Sequence, residues 1–334
     1  MRALISSRLD YLHTHHSSTM GRSYALTTAF CNAFMTICMK LIAKDVHFLT
    51  ILPVQYCVGS IFSFAVYGYL RVSVFNSDAD VSNKLFLRGL FGGLGYCLLN
   101  LAFRLLPPQK TIVLTNTLSV WVVILSPIFL NEYPNRMVIA MLFVSLLGIV
   151  IMVDPSLLLP DSWIQDSSTG TSTSEEDYEW YYLFLPLISA FSGASISVLL
   201  KAYAGKITPA QNTGYFYIFG SIYAGLACLK TDIRAEGRLF SLTDLLAMAG
   251  VAISQTGYQT FNALAFQYEQ AGIVSLLLNS QIVMGFAMDY MVIGNPVKTV
   301  NLVGAVLVIT ATSVIAMSKD DVKTDAAKQK DEEN

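Results

Sequence analysis

GYCLLNLAF, residues 95 to 103, returns as GYQTFNALAF, residues 257 to 266. Each copy sets a tyrosine four residues before an asparagine, Tyr96 with Asn100 and Tyr258 with Asn262, ahead of a Leu-Ala-Phe triplet. The likeness spreads outward at a nearly constant offset. Ala29-Phe30 and Lys40 recur 161 residues later as Ala190-Phe191 and Lys201, and Tyr56-x-x-Gly59-Ser60-Ile61 recurs as Tyr217-x-x-Gly220-Ser221-Ile222. Asn116 matches Asn279 at an offset of 163. Shared greasy composition would match Leu with Leu; it would not keep Gly, Tyr, Asn and Lys in register. The chain reads as a duplicated unit.

What surrounds the duplicated words sets their solvent. Of 334 residues, 54% are hydrophobic and only 13% charged, which is too apolar for two water-soluble domains. The 21 basic residues nearly balance the 23 acidic ones, so no basic face is available for nucleic acid. Crossing ~30 Å of hydrocarbon takes roughly 20 apolar residues. Stretches of that length recur at about 23–43, 48–70, 85–106, 111–130, 137–153, 180–202, 211–229, 242–266, 271–293 and 297–317. Backbone polar groups cannot face lipid unpaired, and the alternation of a barrel strand is missing, so the expectation is an all-α membrane protein of ten transmembrane helices.

The expected organisation is a cytoplasmic tail over 1–22, a five-helix repeat over 23–153, a linker over 154–179, a second repeat over 180–317 and a polar tail over 318–334. Residues 154 to 180 hold nine Ser or Thr and seven acidic residues without a single Lys or Arg, the composition of a solvated connection. No apolar segment of signal-peptide length precedes the first span, which is expected to serve as the targeting signal itself. With the N-terminus placed in the cytoplasm, thirteen of the 21 basic residues lie on that side, Arg22, Arg88 and Lys201 among them. That bias places both chain ends inside. Five crossings is an odd number, so the second half must then lie upside down relative to the first. Two inverted halves can open a shared centre first to one side and then to the other.

Two paired segments carry a family resemblance: LAFRLLPPQKTIVLTNTLSVWVVILSPIFLNEY over 101–133 and LAFQYEQAGIVSLLLNSQIVMGFAMDYMVIGN over 264–295. They resemble the third-to-fourth and eighth-to-ninth helix units of the drug/metabolite transporter superfamily, in its EamA-like, solute carrier 35-like ten-helix form. In the first unit the closing turn carries Glu132 with Gly148 following; in the second, Asn295 stands where the glutamate would be and Gly304 follows. The resemblance implies carriage of a solute across a membrane without naming the solute; no cofactor is expected.

Polar side chains inside spans need a partner or a wet cavity. Residues four apart share a helix face, so Tyr96 with Asn100 and Tyr258 with Asn262 each present a phenol and an amide together. Asn116, Asn279, Tyr56, Tyr217 and Gln281 complete the candidate lining, with Gln55, Gln255 and Gln259 beside them. Interhelical hydrogen bonding would account for any one of these residues without a ligand. Lys40 and Lys201 are candidate gate cations, symmetry-related at the ends of the first and sixth spans; snorkelling to the membrane surface is the simpler alternative. Glu269 and Arg104, just past the triplets, read as solvated ends. Gly59 with Ser63, Gly89 with Gly93 and Gly220 with Ala224 are small pairs that allow close helix approach.

No cluster of His, Cys or carboxylates has metal-ligand spacing, and no HExxH, GxSxG or P-loop is present, so neither a metal nor an enzyme is expected. The leading expectation is a transporter of a small polar solute that acts by alternating access, in contact with lipid and present as a monomer or homodimer. A nucleotide-sugar or phosphate-ester antiporter would need several cations in the cavity, where only Lys40 and Lys201 are in view. A non-transporting accessory subunit is the alternative from another class.

Overall fold

The computed structural model describes residues 17–42, 48–75, 78–106, 108–153, 180–230, 241–294 and 299–317. Helix occupies each of the ten apolar stretches. In the first half the elements are α1 (Ser17–Leu41), α2 (Phe48–Leu70), α3 (Ala79–Leu105), α4 (Pro108–Thr115), α5 (Leu118–Leu130) and α6 (Arg136–Val153). A short 3₁₀ turn, Trp180–Leu183, leads into α7 (Phe184–Ala202), α8 (Pro209–Lys230), α9 (Leu242–Tyr268), α10 (Ala271–Leu278), α11 (Ser280–Met288) and α12 (Thr299–Met317). The linker over 154–179, the tail over 318–334 and Asn295 lie outside the described residues.

Two edges differ from the sequence reading. α1 begins at Ser17, taking in Ser17 to Arg22 that hydropathy had assigned to a tail. α3 begins at Ala79, because Asp78 accepts a hydrogen bond from the Asp80 amide at 3.0 Å and caps a polar first turn. At α3, local capping set the start where apolar length alone could not.

Two spans expected to be continuous are broken, and at matching residues. The first break falls at Asn116 and Thr117, between α4 and α5; the second falls at Asn279, between α10 and α11. Asn116 turns its amide back to the Ile112 carbonyl at 2.7 Å, the local side-chain bond that competes with the helical ladder.

Helix packing repeats itself when each first-half helix is exchanged for its second-half counterpart. α1 packs on α9 as α7 packs on α3; α1 packs on α10 and α11 as α7 packs on α5; α2 meets α8, and α6 meets α12. At α2 against α8 a Cβ on Gly220 would lie 1.9 Å from the Tyr56 ring, and one on Gly59 would lie 2.3 Å from the Tyr217 ring. The Ser60 and Ser221 hydroxyls face each other at 3.5 Å. Farther along, Tyr67 donates to Thr213 at 3.3 Å. Partner numbers fall along α8 as they rise along α2, so the two equivalent helices run antiparallel. α6 and α12 do the same, with Gly148 near Val308 and Gly304 against Met152. The glycines flagged for close approach do admit a neighbouring ring: Gly89 takes Phe219 and Gly93 takes Tyr223.

The outer surface is apolar, with Ile61, Phe129, Phe143 and Leu246 all exposed, while Gln55, Asn212, Thr213 and Gln255 are buried. That inversion of the water-soluble pattern is what lipid selects. Four segments, Lys110–Leu130, Arg136–Val153, Trp180–Ala202 and Ala271–Ile293, are long and apolar enough to cross a membrane by length and composition alone.

Candidate functional site

At the crossing of α2 and α8 the aromatic candidates pack ring on ring. Tyr56 lies edge-on to Tyr96 at 6.1 Å and to Tyr217 at 6.3 Å, and Phe216 sits 5.6 Å from Tyr56 and 6.0 Å from Tyr96. Tyr217 shares a hydrogen bond with the Thr256 hydroxyl at 2.9 Å and donates to the Ala252 carbonyl at 3.3 Å. Gln55 donates weakly to the Tyr96 hydroxyl at 3.5 Å. The candidates from α2, α3 and α8 therefore form one cluster. Tyr258 on α9 comes within electrostatic reach of Tyr96.

Several polar atoms in this interior have no partner among the described residues: the Tyr56 hydroxyl, the Gln55 and Gln255 amide oxygens, Ser63 Oγ and the Asn262 amide oxygen. Buried polar atoms are almost always paired, so these unpaired ones are exceptional. Asn262 lies one turn along α9 from Tyr258; the Asn100 side chain lies outside the described residues.

The remaining candidates are engaged elsewhere. Asn279 is 2% exposed, and Ser119 Oγ lies 3.0 Å from its amide oxygen while its amide nitrogen donates to Ser145 Oγ at 3.0 Å. It thereby fastens the break in the second half to α5 and α6 of the first. Gln281 accepts from Asn32 on α1. An Asn279→Leu variant leaves two buried serine hydroxyls without that partner and is expected to lose about 1–3 kcal/mol of stability. Asn116→Leu, which gives up only a bond within its own segment, should lose less; thermal unfolding in detergent ranks the two.

The candidate gate cations are ion-paired, and each pair joins one half to the other. Lys40 on α1 reaches Asp289 at 2.9 Å, where α11 passes into a π-helical turn over Asp289–Ile293. Lys201 on α7 lies 3.7 Å from Glu132 and donates to the Glu269 carbonyl at 2.8 Å. Glu132 also accepts from the Ala271 amide at 3.2 Å, a carboxylate against the N-terminus of α10.

Glu269 corrects the sequence reading. Expected as a solvated end, it is 4% exposed, and its carboxylate accepts from Arg22 Nε at 2.8 Å and from the Ser18 hydroxyl. Arg22 reaches on to the Ala316 carbonyl at 3.0 Å. Hydropathy saw a charge at a span end; only packing could bring α1, α9 and α12 together over it. The side chain of Arg104 lies outside the described residues.

A second charge was misjudged. Arg88, counted with the cytoplasmic cations, is 4% exposed in the interior, where its Nε donates to Asn212 Oδ1 and its Nη2 to Gln259 Oε1, each at 2.6 Å. The signal available in sequence was its position inside the third apolar stretch.

The pattern of the EamA-like transporter family matches the chain twice, over residues 19–154 and 180–317. Solute carrier family 35 member G1 of Homo sapiens is 23% identical over 298 residues, covering 88% of this chain and 78% of that protein. An uncharacterized membrane protein of Saccharomyces cerevisiae is 22% identical over 322 residues, covering 91% of this chain and 75% of that one. A crystal structure of another protein superposes with a TM-score of 0.71 at 13% identity, covering 90% of this chain and 97% of the other, which is a likeness of fold alone. With an apolar exterior, helices of membrane-spanning length and two copies of the family pattern filling nearly its whole length, this multi-pass membrane protein belongs to the EamA-like transporter family.

Proposed function

We propose that the protein moves a small polar organic solute across its membrane by alternating access, through a site at the centre where the two halves meet. The carrying observation is the antiparallel crossing of the equivalent helices α2 and α8, which swaps Tyr56 and Tyr217 between halves and gathers unpaired polar atoms beneath an apolar exterior. In this reading all ten helical stretches cross the bilayer as two inverted five-helix repeats, 23–153 and 180–317, with both termini cytoplasmic. The human relative's name, a solute carrier, agrees with it.

The ion pairs fit the same cycle. Arg22 with Glu269 and Lys201 with Glu132 tie the halves together at the end carrying the start of α1; Lys40 with Asp289 ties them at the other end. Opening either side requires parting its own pairs, so Lys40 and Lys201 act as gates through their carboxylate partners. In this reading the solute leaves chemically unchanged, as the membership of a transporter family supports.

Counterflow in liposomes loaded with pooled metabolites tests the reading. Asn262→Leu removes a buried amide oxygen that has no partner among the described residues, so folding should hold while flux falls at least fivefold. Equal flux in the variant and wild type, at equal protein incorporation, would take the centre out of the pathway.

A further inference from the structure

Arg88 sits on α3 nine residues beyond Ala79, about 14 Å along the helix and three residues into the apolar stretch that begins at about 85. Arg22, Lys40 and Lys201 each have a carboxylate partner. Arg88 has none among the described residues: its Nε and Nη2 are held by two neutral amide oxygens, and its Nη1 is buried with no partner among them. The holders are themselves fixed, since Asn212 Nδ2 donates to the Gln259 carbonyl at 3.0 Å. The guanidinium is thus oriented with its full positive charge uncompensated. A buried charge in that condition is unfavourable unless some other species neutralises it.

Nη1 is covered by side chains rather than by backbone. A Cβ on Gly92, one turn farther along α3, would lie 3.4 Å from Nη1 and 3.1 Å from Ile196 Cδ1, so the small residue there leaves only the flexible end of Ile196 beside the nitrogen. Tyr96 follows after one more turn on the same face. The guanidinium carbon stands 5.4 Å from the centre of the Phe216 ring, the ring that also packs against Tyr56 and Tyr96. Nη1 and the unpartnered Tyr56 hydroxyl therefore border one aromatic floor.

We infer that the carried solute is an organic anion, and that a carboxylate or phosphate oxygen of it binds Arg88 Nη1 and accepts a further hydrogen bond from Tyr56. The inference rests on the transport reading and adds the charge of the cargo to it. Guanidinium to oxyanion is the pairing that combines charge neutralisation with directed N–H donors. A neutral solute would leave the charge as it stands, and a cation would be repelled. Lys40 and Lys201 need not serve the ligand, because each already has its own carboxylate.

The test measures binding separately from flux, on the purified full-length protein. Succinate, benzoate, glycerol 3-phosphate and uridine monophosphate are the anionic probes; glycerol and putrescine are the neutral and cationic controls. Melting temperature is recorded against probe concentration. At least one anion should stabilise the wild type, and Arg88→Gln should weaken that anion more than tenfold. Whether carboxylates or phosphates produce the shift tells the two oxyanion sources apart. Gly92→Asp is the second variant, since it places a carboxylate of the chain's own beside Nη1; it should melt higher than wild type without ligand and lose the shift. Stabilisation by no anion, stabilisation by the controls alone, or unweakened anion binding in both variants overturns the inference. The transport reading fails on a different result: an anion that binds through Arg88 but shows no counterflow in proteoliposomes. Exchange of glycerol or putrescine, unaffected by Arg88→Gln, would leave transport standing and sink the anion.

Discussion

Gly304→Ala should destabilise the protein by about 3 kcal/mol, at the upper end of what overpacking costs in a filled interior. The added methyl carbon would lie 2.5 Å from the Gly148 carbonyl oxygen, 2.7 Å from the Met152 amide nitrogen and 2.8 Å from Met152 Cβ. Two of those three atoms are backbone of α6, which cannot rotate aside as a side chain would. Relief requires α6 and α12 to separate along the whole crossing, where Ile149, Met152 and Val308 are now buried together. Gly68→Ala is the matching control, because a Cβ there meets nothing within 4 Å. On helix propensity alone that change should stabilise by up to about 1 kcal/mol. Thermal unfolding in detergent compares the two, and a Gly304→Ala protein that melts with the wild type would mean that α6 and α12 are not in backbone contact.

Removing the Glu269 carboxylate is expected to be comparably severe. Glu269→Ala takes the carboxylate from beside Arg22, whose side chain is only 12% exposed, and also withdraws an acceptor used by Ser18. Breaking a pair this buried from one side costs about 3–5 kcal/mol, much of it the penalty on the charge left behind. Adding Arg22→Ala should therefore restore part of the loss, so the double variant is more stable than the single one. A double variant as unstable as the sum of the two singles would show that the ion pair contributes nothing of its own. Lys40→Ala sets the scale, for that lysine is 47% exposed and water screens its bond to Asp289. Such a pair contributes about 0–1 kcal/mol. The end of the molecule bearing Arg22 and Lys201 is thus held far more firmly than the end bearing Lys40.

Much of this was legible in the chain itself. Ten apolar stretches foretold the helices, since unpaired backbone cannot face lipid and leaves length and hydropathy to mark where helix must be. The duplicated words foretold equivalence closely enough that Tyr56 and Gly220 meet as Gly59 and Tyr217 do. Gly95 meeting Ser192 as Gly257 meets Cys31 repeats the lesson on α3 and α9. Of the polar residues shared between the copies, Tyr56 and Tyr217 pack together, with Tyr96 against Tyr56. Helix breaks at Asn116 and Asn279 were not foreseen, because an asparagine can point outward along a helix or bend back on it, and its surroundings choose.

The charges divide along the same line. By itself the sequence determined a duplicated, lipid-solvated set of helices with matched polar positions, because hydrophobic length and internal repetition are properties of the chain read in order. The tertiary structure alone decided that Glu269 is buried against Arg22, that Asn279 bolts α5 and α6, and that Arg88 stands in the interior without a carboxylate. A charge is tolerated in an apolar place only through the partners around it, and those partners lie 247, 124 and 171 residues away along the chain. No local pattern carries such distances; folding does.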